Sequence, residues 1–393
     1  MKMKISKELE DLNHEDAKQY VGGVVFVTVI MTIGIIGNAH VLYVYTCRMK
    51  PSNHRIFILT LAVLDMITCI IGMPFIIVDL RNPLTFTMVS ACKVLRFVNY
   101  FICASSALLL TVIATDRYRK ICVPLGKQIS RGMAKVLILM CLGISLVLSW
   151  PAPVLYGRSS INTTNPNITG VRCYTQDIFK DTKYQTYFNA VLILVVFGVL
   201  GILVVMYSLI GRAISKHVTF KSSVPESKSP ESKSKETETS DTISHEDKIS
   251  NDNQMNIIKT GGSKMPYPFN AEVSTDSPTI QPASKTDKVK TQKEGKVSKF
   301  DRAKRTTLMF FLITVFFFLS YVPHLILKIL AFVIPGFVLN MTFAGKVLYN
   351  TFVWCFFLNN MANCFIYGFC DLRFRKEVKK IYTAIFRLCL CRN

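Results

Sequence analysis

Seven apolar stretches, each about 20 residues or longer, dominate this chain and leave it few ways to fold. They run over residues 21–47, 56–80, 94–115, 134–153, 187–210, 306–333 and 345–369. About 20 helical residues cross a hydrocarbon core of ~30 Å, so each stretch is long enough to span a bilayer. Half of the 393 residues are hydrophobic and 18% are charged, a balance that would demand a very large core in a soluble protein. The expected fold is an all-α membrane protein, a seven-helix bundle whose backbone polar groups are satisfied within each span. The formal net charge of +22 would suggest nucleic acid for a soluble chain. A membrane chain instead gathers Lys and Arg in its cytoplasmic loops, and no nucleic-acid partner is expected.

Those basic residues also orient the bundle. Arg48, Lys50 and Arg55 follow the first span, and Arg117, Arg119, Lys120, Lys127 and Arg131 follow the third. Arg373, Arg375, Lys376, Lys379 and Lys380 follow the seventh. These loops alternate with the others, so they are cytoplasmic and the N-terminus lies outside the plasma membrane. Residues 1–20 are polar and lack an apolar signal core, which predicts an extracellular tail without a cleaved signal peptide. On the opposite loops lie three glycosylation triplets, at Asn162, Asn167 and Asn340. Cys92 and Cys173 share that face, and an oxidising compartment predicts a disulfide tethering the loop 156–183 to the head of span three.

Two segments stand apart from spans one to five (21–214) and spans six and seven (300–369). Residues 215–299 are rich in Ser, Thr, Lys, Glu and Pro and too poor in apolar side chains to offset ordering, so they read as a disordered third cytoplasmic loop. In 370–393, Leu372, Phe374, Val378, Ile381, Ile385 and Phe386 oppose a basic face, the pattern of an amphipathic helix resting on membrane lipids. Cys389 and Cys391 follow it as candidate palmitoylation sites.

Span three carries the chemistry. Asn99, Cys103, Ser106, Leu110, Ile113 and Arg117 recur at helical spacing, giving one face that takes polar groups into the membrane. Such groups are costly unless they face protein, so that face is functional ground. The span closes on Asp116-Arg117-Tyr118. No HExxH, GxSxG or P-loop is present, so neither an enzyme nor a resident cofactor is expected. A transporter is the remote alternative, with no inverted repeat to support it.

Seven spans, Gly37-Asn38, an LAVLD run ending in Asp65, Cys92 and Asp116-Arg117-Tyr118 stand here in a telling order. Phe317, Tyr321 and Pro323 follow in span six, and Asn363 and Tyr367 in span seven. This order resembles the rhodopsin-like (class A) G-protein-coupled receptors. The resemblance implies a heterotrimeric G protein as partner, with arrestin and receptor kinases behind it. It implies that Asp116 holds Arg117 at rest and that Tyr207 and Tyr367 swing towards Arg117 on activation. It also implies a sodium-holding pocket of Asp65, Ser106, Asn359 and Asn363. A buried carboxylate needs a partner and oxygens around it can ligate a hard cation, although a protonated Asp65 in a hydrogen-bond network would also serve. The chain departs from the family pattern at Leu142, Val199, Tyr321 and Cys364, where tryptophan, proline, tryptophan and proline are usual, and at Ala303, where some relatives place an acid.

The ligand side offers Arg96, Lys328 and Lys346 around a mouth, with Asn99, Cys103, Tyr321, His324 and Tyr349 deeper. Three cations suggest an acidic group on an extracellular ligand, while snorkelling of long basic side chains is the plainer account. The sequence around RYRKICVPL and the Pro-rich end of span four resemble neuropeptide receptors of the cholecystokinin and orexin type. A neuropeptide is therefore the expected ligand, with a lipid or other small acidic molecule as the alternative.

Overall fold

In the computed structural model, which describes residues 2–163, 165–223 and 285–390, seven helices are long and apolar enough to cross a membrane. The chain opens with α1 (Lys2–Ala17), a short 3-10 turn, and α2 (Val21–Cys47). Span two is α3 (Asn53–Ile67) and α4 (Met73–Arg81), joined by a π-helical turn at Thr68–Gly72. Pro74, at the start of α4, lacks the N–H that a regular helix would use, and a π turn absorbs the mismatch. Span three is α5 (Val89–Cys122) and span four is α6 (Arg131–Ser149). Pro151 and Pro153 end that span and leave only the single turn α7 (Ala152–Leu155). An antiparallel hairpin of β1 (Tyr156–Asn162) and β2 (Thr169–Thr175) follows, pairing Arg158 with Cys173. Then come α8 (Tyr184–Ser223), α9 (Lys285–Val333) with Pro323 inside it, α10 (Phe343–Phe352), α11 (Leu358–Cys370) and α12 (Leu372–Leu390).

The core forms around α5, which packs on α3, α6, α7, α8, α9 and β1. Its inward face carries Leu109, Leu110 and Ile113, each at most 1% exposed. Outward positions such as Val29, Leu139, Leu194, Val205, Leu308 and Phe332 are exposed apolar side chains, the surface a bundle presents to lipid rather than water. Cys92 and Cys173 form the expected disulfide, which pins the hairpin over the head of α5. Backbone bonds from Phe86 to Val171 (2.9 Å) and from Val171 to Leu84 (2.7 Å) add the segment before α5 to the hairpin edge.

Three expectations are corrected. Residues 1–20 are not a tail: α1 is a helix, with Asn13 buried against the end of span two. The flanks of the 215–299 loop are helical, because α8 runs on to Ser223 and α9 begins at Lys285; an existing helix extends at little cost, whereas nucleating one is expensive. The rest of that loop, 224–284, lies outside the described residues, as do Cys391 and the side chain of Cys389. Span seven is broken rather than continuous, with a turn and a 3-10 segment at Cys355–Phe357 between α10 and α11. Span six satisfies the break: the His324 ring N–H at Nδ1 donates to the Val353 carbonyl (2.5 Å), and the Cys355 thiol donates to the Ser320 carbonyl (3.1 Å).

Spans one and seven approach closely at Gly23, where an added Cβ would lie 2.6 Å from the Asn350 carbonyl oxygen. A backbone atom cannot rotate away. Gly23→Ala is expected to cost about 1–3 kcal/mol by overpacking. Thermal unfolding in detergent should show a lowered midpoint, and an unchanged midpoint would show that the two spans adjust freely.

Candidate functional site

Two polar constellations occupy opposite ends of the bundle, and a third lies between them. At the end of α5 away from the hairpin, Arg117 is 3% and Asp116 1% exposed, and they form an ion pair. Asp116 also accepts from Lys120 Nζ at 2.8 Å and from Asn53 Nδ2 at 3.1 Å. Asn53 donates a second bond to the Ile129 carbonyl (2.7 Å), so the loop after α5, the start of α3 and the switch pair are one unit. The Arg117 guanidinium lies over the Phe310 ring of α9, 5.3 Å from its centroid, and Nε has no acceptor among the described residues. Tyr118, next in the triplet, is only partly buried. Tyr207 bonds Thr314 across α8 and α9 (3.2 Å), and the Arg117 charge acts on its hydroxyl. Tyr367 is fully buried, and its hydroxyl has no partner among the described residues.

The sequence reading missed a cluster beside this pair. Asp371 Oδ2 accepts from Tyr45 Oη (2.6 Å) and from His54 Nε2 (3.3 Å). Its Oδ1 accepts from the backbone of Arg373 (2.9 Å) and Phe374 (3.3 Å), capping the N-terminus of α12. The His54 ring meets Phe310 edge-on at 5.5 Å, so contacts run from Arg117 through Phe310 and His54 to α12. Lys120 was legible, standing four residues after Asp116 on one helical face. Asp371 and Tyr45 are 326 residues apart, and no local signal joins them.

Midway along the bundle, Asn363 Nδ2 donates to Asp65 Oδ2 (2.7 Å). Asp65 Oδ1, Asn359 Oδ1, Asn363 Oδ1 and the Ser105 hydroxyl are buried without partners among the described residues; Ser106 is 5% exposed beside them in sequence. Asp65 and Asn363, bonded to each other and each with an oxygen left without a partner among the described residues, offer donors of the kind that suits a hard cation. Nearer the hairpin, Cys103 Sγ and Tyr321 Oη are 2.6 Å apart, and Tyr321 stacks on Phe317 with centroids 4.6 Å apart. Asn99 Oδ1 has no partner among the described residues and faces Gly72 of the π turn.

At the hairpin end, Arg96 donates to Asp79 Oδ2 (2.7 Å) and to the Cys173 carbonyl (3.2 Å), with the Phe75 and Tyr156 rings each 5.7 Å from the guanidinium. Arg96 is therefore balanced by Asp79, which sits near the end of an apolar span where a lone carboxylate calls for a cation. Lys328 is solvent-accessible, and the charges of Arg96 and Arg172 act on it. Arg172 of β2 lies over the Tyr174 ring at 4.7 Å and joins this cationic mouth, a residue the sequence reading passed over. Tyr349 packs on Phe337. Asn162, Asn167 and Asn340 are exposed around the same end.

The model of the 7 transmembrane receptor (rhodopsin family) matches residues 37–367. The chain belongs to the rhodopsin family of seven-transmembrane receptors, which are receptors and not enzymes. The neuropeptide S receptor of Homo sapiens is 28% identical over 190 residues, 47% of this chain and 48% of that protein. Purinoceptor 4 of Rattus norvegicus is 29% identical over 188 residues, 47% and 50% of the two chains. The type A cholecystokinin receptor of Cavia porcellus is 24% identical over 309 residues, 75% and 66% of the two chains. The matches to the first two of these span about half the length of each relative. Squid rhodopsin superposes with a TM-score of 0.62 at 18% identity, covering 95% of this chain and 88% of that one, a likeness of fold.

Burial raises the Asp371 carboxyl, but hydrogen bonds from His54 and Tyr45 outweigh it and hold the group down at about 2, against 3.8 for a free carboxyl. A depressed carboxylate contributes stability that is complete above the free value and fades as pH falls through the folded one. Asp371→Asn is expected to cost roughly 2 kcal/mol at neutral pH, with the gap to the unaltered protein closing between about pH 4 and pH 2. Thermal midpoints of both proteins across that interval would test it. A gap that stays constant with pH would mean that the charge of Asp371 does not matter.

Proposed function

We propose that this is a plasma-membrane receptor that passes the binding of an extracellular neuropeptide to a heterotrimeric G protein. The hairpin and the N-terminus face outward and the Arg117 end faces the cytoplasm, as the basic loops require. The observation that carries the reading is the burial of Arg117 between Asp116 and Phe310, since Phe310 belongs to span six. Displacing span six removes Phe310 and uncovers the arginine, together with Tyr207 on its neighbour α8. Pro323 marks the place where span six can bend. Asn363 and Tyr367 stand on α11 with their side chains packed inward, so a shift of that helix would carry both towards the uncovered arginine. A ligand acts by binding one of the two arrangements better than the other. Arrestin and receptor kinases are proposed as later partners of the same open end.

The names of the neuropeptide S and cholecystokinin receptors support a peptide ligand, and the cationic mouth supports an acidic group on it. A small acidic ligand is the second reading, favoured by the similarity to a purinoceptor and by the same cations. The Asp65 pocket is proposed to hold sodium, with the carboxylate and the oxygens of Ser106, Asn359 and Asn363 as donors. The ion would favour the closed arrangement by satisfying oxygens that otherwise lack partners.

Arg117→Ala is expected to abolish nucleotide exchange on added G protein in receptor-bearing membranes while surface expression stays intact. Equal exchange by both proteins would refute the coupling role. Asp65→Asn should remove the suppression of basal exchange by sodium chloride relative to an equal concentration of choline chloride. A salt response that survives the substitution would locate the ion elsewhere.

A further inference from the structure

Spans six and seven each carry a defect, and the two defects face one another. In span six, Pro323 has no N–H to give, so the Leu319 carbonyl loses its helical partner and the helix can bend there. In span seven, the Phe357 N–H turns to the Trp354 carbonyl (3.0 Å) instead of reaching back to Val353. That 3-10 bond releases the Val353 carbonyl from the helical ladder.

The groups that meet across the gap fall on either side of the proline. The His324 ring N–H at Nδ1 takes up the Val353 carbonyl (2.5 Å), and the Cys355 thiol donates to the Ser320 carbonyl (3.1 Å). The Phe356 ring adds contacts to the Tyr321 ring at 5.5 Å and to the His324 ring at 4.8 Å. Ser320 and Tyr321 precede Pro323, and His324 follows it. Residues 353–356 therefore grip span six both before and after its proline. Val353, Cys355 and Ser320 are each at most 6% exposed, so water is poorly placed to replace a bond that is lost.

We propose that this stretch of span seven is a splint on the hinge of span six, with His324 and Cys355 as the positioning residues that set its bend. The proposal rests on the reading that span six moves to uncover Arg117. Bending at Pro323 changes the angle between the turn that holds Ser320 and the turn that holds His324. A single short segment cannot follow both turns, so at least one of the two bonds breaks as the hinge bends. The pair of bonds therefore favours the closed arrangement, and a ligand that draws His324 away from Val353 favours the open one.

The test reads the hinge directly in the full chain. A ketone-bearing phenylalanine analogue replaces Leu125, in the loop after span three, and Leu308, near the inner end of span six, both exposed, and each is coupled to a nitroxide. Pulsed electron resonance in lipid nanodiscs gives the distance between them, and nucleotide exchange on added G protein is followed in parallel. Cys355→Ala and His324→Ala should each raise the ratio of long to short distances roughly 2–10-fold, the contribution of one hydrogen bond. Cys355→Ser and His324→Asn keep a donor at nearly the same place and should return the original pattern. In a Pro323→Ala background, Cys355→Ala should have no further effect on the distances. Distances unchanged by Cys355→Ala and His324→Ala, or lengthened equally by Cys355→Ala and Cys355→Ser, would overturn the splint. So would a full effect of Cys355→Ala in the chain without the proline. Longer distances with no change in exchange would uphold the splint and sink the coupling of span six to the G protein instead.

Discussion

An arginine buried in a membrane protein is tolerable only when its charge is answered, and the inner half of this bundle is arranged around that requirement. Arg117 is held by Asp116, and Asp116 in turn by Lys120 and Asn53. Span two, the loop after span three and span three itself are thereby fixed to one carboxylate. On the α9 side, among the described residues, Arg117 meets an aromatic ring rather than a formal charge. The ionic contacts thus tie Arg117 to spans two and three, and the weaker aromatic one ties it to span six.

The hairpin end follows a different rule. Among the described residues its cations are only partly balanced: Arg96 is tied to Asp79, whereas Lys328 and Arg172 form no ion pair. Like charges held near one another raise the energy of the empty site, and a bound anion relieves it. The disulfide and the hydrogen bonds of Asn13 keep those residues from relaxing apart.

Much of this was legible in the sequence, because membrane spans announce themselves by length and apolarity. The seven spans, the Cys92–Cys173 pair and the inward face of α5 needed no contact information. The break in span seven was not legible, since VWCFF contains neither Gly nor Pro. Its hydrogen-bond partners, the His324 ring and the Ser320 carbonyl, lie on span six, so the interruption is a property of two helices together. Nor was α1 legible: KMKISKELEDLNHEDA has helix-forming residues but no apolar stripe strong enough to predict docking. It is placed by hydrogen bonds made by the side chain of Asn13 and accepted by that of Glu8 rather than by hydrophobic burial. Asp79 and Arg172 escaped notice for a related reason, as their meaning comes from partners far along the chain.

The ring beneath Arg117 also bears on what the cell interior can do to this receptor. Position 303, where some relatives place an acid, is Ala303, and the contact that span six makes with Arg117 comes from Phe310. A cation resting on an aromatic face contributes about 1–2 kcal/mol when desolvated, a bias of roughly five- to thirty-fold between two arrangements. That factor is the share of the preference for the closed arrangement that this one contact can supply. A phenyl ring neither gains nor loses a proton, so the contact itself does not titrate; sensitivity to cytosolic acidity has to enter through the His54 ring that meets Phe310 edge-on and the Asp371 carboxylate behind it.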